Sequence, residues 1–139
     1  MIQVYSTNID VPVQSAIPLN NVTIRKGCTA VNSGPTSISL NKRGVYMVHM
    51  DAYAEAAAAG PITIQLRKDG VLLPQAISSV TGAVGEIDTL HFETPIQVQD
   101  DNTNCCCTAP TVIEFVNAPG ADDVAVTGLH INAVVTKLC

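Results

Sequence analysis

Five cysteines and three histidines are the side chains of this 139-residue chain best suited to nucleophilic, acid–base or soft-metal chemistry. The spacing of the cysteines argues against most of it. Cys105, Cys106 and Cys107 are consecutive, Cys139 is the last residue, and Cys28 stands apart in another predicted loop, Lys26–Gly34. Adjacent cysteines lack the C-x-x-C spacing with which two thiolates reach one tetrahedral zinc, so no single-chain zinc site is expected of them. Val98–Pro110, which holds the triplet, reads as an exposed polar loop because Asp100-Asp101-Asn102 and Pro110 flank the thiols. Its cysteines are expected to stay reduced in a cytoplasm and to oxidise afterwards. Disulfides within or between subunits after lysis or export, with Cys28 as a third party, are the alternative. An odd number of cysteines leaves at least one unpaired within a chain.

The histidines, His49, His91 and His130, all fall on predicted strands, whereas the thiols fall on a loop and at the terminus, so a Cys–His nucleophile is not expected. Hydrogen-bonded histidines are the favoured reading, ahead of a metal site. The paired acids Asp100-Asp101 and Asp122-Asp123 sit in turns and read as solvated, with a weak calcium site as the alternative. Phosphate-binding glycine loops, H-E-x-x-H and G-x-S-x-G are all missing from the sequence. Together these readings predict no enzyme, no cofactor and no bound metal.

Composition narrows the partners. The net charge is −5, and the basic residues Arg25, Lys26, Lys42, Arg43, Arg67 and Lys68 form dispersed pairs, which argues against a phosphate-backbone partner. No stretch is long and apolar enough to span a bilayer as a helix. Met1–Asp10 lacks the basic start and apolar run of a signal peptide, so synthesis in a cytoplasm is expected and the sequon Asn21-Val22-Thr23 is read as incidental. Only 14% of residues are charged while 47% are apolar, a balance that suggests a surface covered by a partner.

The elements that must position these groups are strands. Short apolar runs rich in Val and Ile recur between Gly, Pro, Asn, Asp and Ser, the pattern of an all-β sandwich in one domain spanning residues 1–139, with residues 1–10 as an N-terminal strand or arm. Predicted strands are Ile2–Tyr5, Val11–Ile17, Val22–Arg25, Thr36–Leu40, Gly44–Tyr53, Ile62–Arg67, Val71–Ile77, Glu86–Phe92, Thr111–Val116 and Val124–Leu138. Lys68-Asp69-Gly70 predicts a tight hairpin turn, and Pro74 places the following strand at an edge or bend. Ala52–Ala59 favours helix by composition, but Gly60-Pro61 cuts it short and it reads as a strand end entering a loop.

Alternation then sorts the side chains. Tyr46, Val48, Met50 and Ala52 share one face, as do Leu90 with Phe92, and Leu129, Ile131, Ala133 with Val135. The opposite faces hold all three histidines together with Val45, Met47, Asp51, Tyr53, Ile87, Asn132 and Val134. A second face this apolar is what a subunit interface looks like. Val45, Met47, His49, Asp51, Tyr53, Ile87, His91, His130, Asn132 and Val134 are therefore the expected contact residues. Protonated histidines in such a contact would put positive charge into a partly buried interface, so acid is expected to loosen it.

The run Ile38-Ser39-Leu40-Asn41-Lys42-Arg43-Gly44-Val45-Tyr46-Met47-Val48 resembles a strand–turn–strand segment of the tumour necrosis factor and complement globular-head superfamily. It is especially similar to bacterial members, such as C-terminal domains of collagen-like spore-surface proteins and Firmicute phage structural proteins. Ile62–Gly70, the polar loop, Thr111–Asn117 and the long final strand extend the resemblance over residues 10–138. It implies a two-sheet jelly roll of about ten antiparallel strands assembled as a homotrimer. It also implies that the trimer contact is made by the sheet holding the Gly44, Glu86 and Val124 strands. A collagen-like Gly-X-Y stalk is missing, a departure that favours a virion component, such as a phage capsid decoration protein or short fibre head. A carbohydrate- or receptor-binding head and a bacterial surface or spore-coat trimer are the alternatives.

Overall fold

The computed structural model describes residues 1–98 and 111–138, so Cys105, Cys106, Cys107, Cys139 and the Asp100-Asp101 pair lie outside the described residues. The described residues form eleven strands: β1 (Ile2–Val11), β2 (Ser15–Ala16), β3 (Asn21–Arg25), β4 (Ala30–Asn32), β5 (Ser37–Leu40), β6 (Gly44–Ala56), β7 (Gly60–Lys68), β8 (Val71–Gly82), β9 (Ile87–Val98), β10 (Thr111–Asn117) and β11 (Val126–Lys137). One sheet runs β3-β1-β11-β6-β9 and the other β4-β5-β10-β7-β8, with β2 paired to β10. Every pairing is antiparallel. The fold is the expected two-sheet jelly roll. Among the described residues, no helix is long and apolar enough to cross a membrane.

The core lies between the sheets and is built by alternation. Tyr46, Val48, Met50, Leu66, Ile113, Phe115, Ala133 and Val135 are all fully buried. Phe92 and Phe115 meet across the core with ring centroids 6.0 Å apart. Burying such side chains contributes roughly 1.5–3 kcal/mol each relative to exposure. Tyr46 keeps its polar end satisfied, as a buried hydroxyl must. Its Oη donates to the Lys42 carbonyl at 2.6 Å and lies 3.3 Å from that of Thr29. Desolvation pushes the phenol above its ordinary range, and the bond to Lys42 offsets only part of that rise. Gly44, at φ +141°, opens the strand that carries this tyrosine.

The Asp69-Gly70 turn forms as expected, with positive φ at both residues (+49° and +84°). Asp69 also accepts the Val112 N–H at 2.8 Å, tying the turn to β10. Pro74 does lie on an edge strand, β8, and falls inside a register break between the Gln65–Ile77 and Arg67–Leu72 pairs. Residues 57–59 are a bend after β6, so the alanine run is strand and loop.

Several sequence expectations change. The first strand extends beyond Tyr5 to Val11 and lies between β3 and β11, with Ile2 and Val4 fully buried, so of the two readings of residues 1–10 the strand holds. The predicted strand Val11–Ile17 is broken after Val11. Pro12 has no N–H for a ladder and Gln14 adopts φ +54°, so only Ser15–Ala16 pairs with β10. Lys26–Gly34 is not all loop, because Ala30–Asn32 pairs with β5 and buries Ala30. Asp123 is not a solvated acid. Its carboxylate accepts the Gly120 N–H at 2.7 Å and the Thr63 hydroxyl at 3.0 Å, pinning the connection before β11.

Candidate functional site: the outer face of the β3-β1-β11-β6-β9 sheet

β11, β6 and β9 are neighbours, so the outward residues of the three histidine-bearing strands form one surface. Their inward partners hold the register. Burying Met50, Leu90, Phe92 and Ile131 leaves His49, Asp51, His91 and His130 facing out. On the β6–β9 ladder His49 stands opposite Glu93, and Asp51 opposite His91. The four side chains make a square of two imidazoles and two carboxylates on opposite diagonals.

Asp51 joins the square together. Its Oδ2 is 2.7 Å from His49 Nε2, and its Oδ1 is 2.7 Å from His91 Nδ1. The two imidazole rings meet edge to face at 4.9 Å. Glu93 Oε2 lies 3.9 Å from His49 Nδ1. Desolvation raises the Asp51 carboxyl, but the hydrogen bonds from His49 and His91, with their charges, outweigh it and hold the group below its ordinary range. The expectation that acid loosens a contact assumed uncompensated cations. At His49 and His91 the carboxylates of Asp51 and Glu93 supply the counter-charge.

His130 belongs to a different arrangement. It stands opposite Tyr53 across the β11–β6 ladder, and the two rings stack at 4.3 Å with 12° between planes. This stack lines an open cleft of about 660 Å³ that also takes in Tyr5, Asp51, His91 and Asn132. Gln3 closes one side by donating from Nε2 to Asn132 Oδ1 at 2.9 Å. Apolar side chains remain uncovered on the same face, with Tyr53 42% and Ile87 71% exposed. Val45, Met47 and Val134 are half-buried there. A second exposed apolar strip, Val71, Leu72 and Ile77, lies on the edge strand β8.

The structure thus places all ten expected contact residues on one sheet, but divides the histidines between the Asp51 square and the Tyr53 stack. Reasoning from sequence overlooked Glu93 as a partner of His49 and overlooked Gln3 and Tyr5. Alternation within the predicted strand Ile2–Tyr5 would have found the latter two. Cys28 is exposed in the loop between β3 and β4, where the Asn41 side-chain amide donates to its carbonyl at 3.0 Å. The basic pair Arg67-Lys68 is engaged locally: Arg67 pairs with Glu114 at 3.2 Å, and Lys68 donates to the Gln97 carbonyl at 2.8 Å.

No family model matches the sequence, and no curated protein matches it either. Solved structures do match the fold. The globular domain of zebrafish complement 1qA superposes with a TM-score of 0.73 at 9% identity, covering 99% of this chain and 96% of that one. The Eiger TNF from S. frugiperda superposes with a TM-score of 0.70 at 11% identity, covering 99% and 92%. PRD1 vertex protein P5 superposes with a TM-score of 0.61 at 10% identity, covering 99% and 96%. Identities this low establish shared architecture alone: the chain has the jelly-roll fold seen in tumour necrosis factor and complement 1q globular heads.

Proposed function

We propose that this protein is a non-enzymatic structural protein, a homotrimer that forms part of a virion as a capsid decoration protein or short fibre head. The observation that carries the trimer is the outer face of the β3-β1-β11-β6-β9 sheet. It combines an open cleft with exposed Tyr53 and Ile87, on the sheet that the superfamily resemblance assigns to the subunit contact. Covering such a face removes apolar area from water at about 25 cal/mol per Å². The virion role draws its support from the fold shared with a vertex protein and from the lack of catalytic motifs in the sequence. Light scattering is expected to give about 44 kDa, three times the 14.6 kDa chain; a particle of one chain's mass overturns the trimer. Probing purified particles of the source phage with an antibody to this chain tests the virion role, and its absence from them overturns it.

A carbohydrate-binding head is the second reading, favoured by one observation. Tyr53 is an exposed aromatic beside a cleft, the kind of platform on which sugars stack, whereas Tyr46, Phe92 and Phe115 are buried. Binding on a glycan array that is lost in Tyr53→Ala supports this reading; an array without binding removes it.

A further inference from the structure

We infer that His49, Asp51 and His91 form a binding site for a borderline-soft divalent ion of the zinc class, with Glu93 orienting one of the ligands. The three donors come from one chain, and the inference therefore does not rest on the proposed trimer. One ligand atom from each residue lies within 4.8 Å of the others. A tetrahedral ion with bonds of about 2.0–2.2 Å needs donors about 3.4 Å apart. The remaining closure is small. It falls on side chains that, in the single chain, are 36% exposed at His49 and 54% exposed at Asp51 and His91, so an ion has a path to them before subunits assemble.

The donor set selects the class of ion. Two imidazole nitrogens and one carboxylate oxygen suit zinc, copper, nickel or cobalt, whereas calcium and magnesium demand oxygen cages. Three protein ligands leave a fourth position for water. The sheet itself fixes the spacing. His49 and Asp51 are two residues apart on β6, and His91 faces Asp51 in register on β9. These positions are held by buried neighbours on the opposite face, so the ligand backbone needs no rearrangement on binding.

Glu93 completes the pattern. A metal-bound histidine commonly gives its other ring N–H to a carboxylate, which fixes the tautomer. Glu93 Oε2 lies 3.9 Å from His49 Nδ1, on the side of the ring away from Asp51. Moving closer to accept a hydrogen bond from Nδ1–H, Glu93 would keep the proton on Nδ1 and leave the Nε2 lone pair free for the ion. His91 would bind through Nδ1 and carry its proton on Nε2. The two hydrogen bonds to Asp51 are exchanged for metal–ligand bonds.

The test is titration of the full chain with Co(II), with all thiols alkylated beforehand so that cysteines cannot compete. Visible absorption reports coordination number, and Zn(II) competition reports affinity. One Co(II) per chain with the intense bands of a four-coordinate ion is expected. His49→Ala and His91→Ala should each weaken binding at least tenfold, Glu93→Gln severalfold, and His130→Ala not at all, with circular dichroism confirming that each variant folds. Only the weak spectrum of the hydrated ion, or binding that survives in the His49→Ala/His91→Ala double variant, overturns the inference. Light scattering on the same samples reads the assembly state separately, so failure of one proposal does not mimic failure of the other.

Discussion

Asp51 faces His91 across the β6–β9 ladder with Oδ1 2.7 Å from the imidazole Nδ1, although 40 positions separate the two in sequence. The same carboxylate holds His49 with its other oxygen. One acid therefore gathers two imidazoles on an exposed sheet face, next to a cleft floored by the Tyr53–His130 stack. A sheet buried on one side provides a rigid platform for such a group, because its inward residues cannot slip register without exposing the core.

The proposed subunit contact is tested by charge. Tyr53→Glu and Ile87→Glu alter side chains exposed in the single chain, so folding should be little affected, within about 0.5 kcal/mol. In the double variant light scattering should fall from about 44 kDa to the 14.6 kDa of one chain, with far-ultraviolet circular dichroism unchanged. A double variant that keeps the full mass would move the contact to another surface.

Tyr46 should govern the alkaline limb of stability. Its pKa is raised in the folded protein, so the folded state holds the phenolic proton more tightly than the unfolded chain. The stabilisation is then complete below the ordinary tyrosine value of 10.0 and is lost as pH rises through the folded value. Tyr46→Phe should flatten this limb and cost about 1 kcal/mol at neutral pH for the bond to Lys42. Urea unfolding at pH 7 and above pH 10 measures both effects.

Asp123→Ala removes two hydrogen bonds that pin the chain before β11. It leaves the Gly120 N–H and the Thr63 hydroxyl without this acceptor, at an expected cost of about 1–3 kcal/mol. Were Asp123 merely solvated, the substitution would stay within about 0.5 kcal/mol. Chemical denaturation distinguishes the two.

Gly70→Ala isolates backbone conformation from packing. A Cβ at this position meets nothing within 4 Å, yet φ is +84°. The expected loss is about 1–2 kcal/mol from conformational strain alone. Gly70→Asn, which tolerates positive φ better, should lose less. Thermal unfolding of the pair gives the comparison.

The sequence by itself determined the all-β architecture, the Asp69-Gly70 hairpin, the edge position of Pro74 and the face on which each histidine lies. These follow from local rules: a strand alternates its side chains, and turn residues tolerate particular dihedrals. Local rules do not say which distant strand lies alongside which, or at what offset. Only the tertiary structure set Asp51 against His91 and Glu93 against His49, stacked Tyr53 on His130, and inserted residues 2–11 between β3 and β11. It likewise recruited Ala30–Asn32 as a strand and turned Asp123 from a turn acid into an anchor. Those outcomes depend on strand order and register, which are decided when two sheets bury their inner faces against each other and every buried backbone group must find a partner.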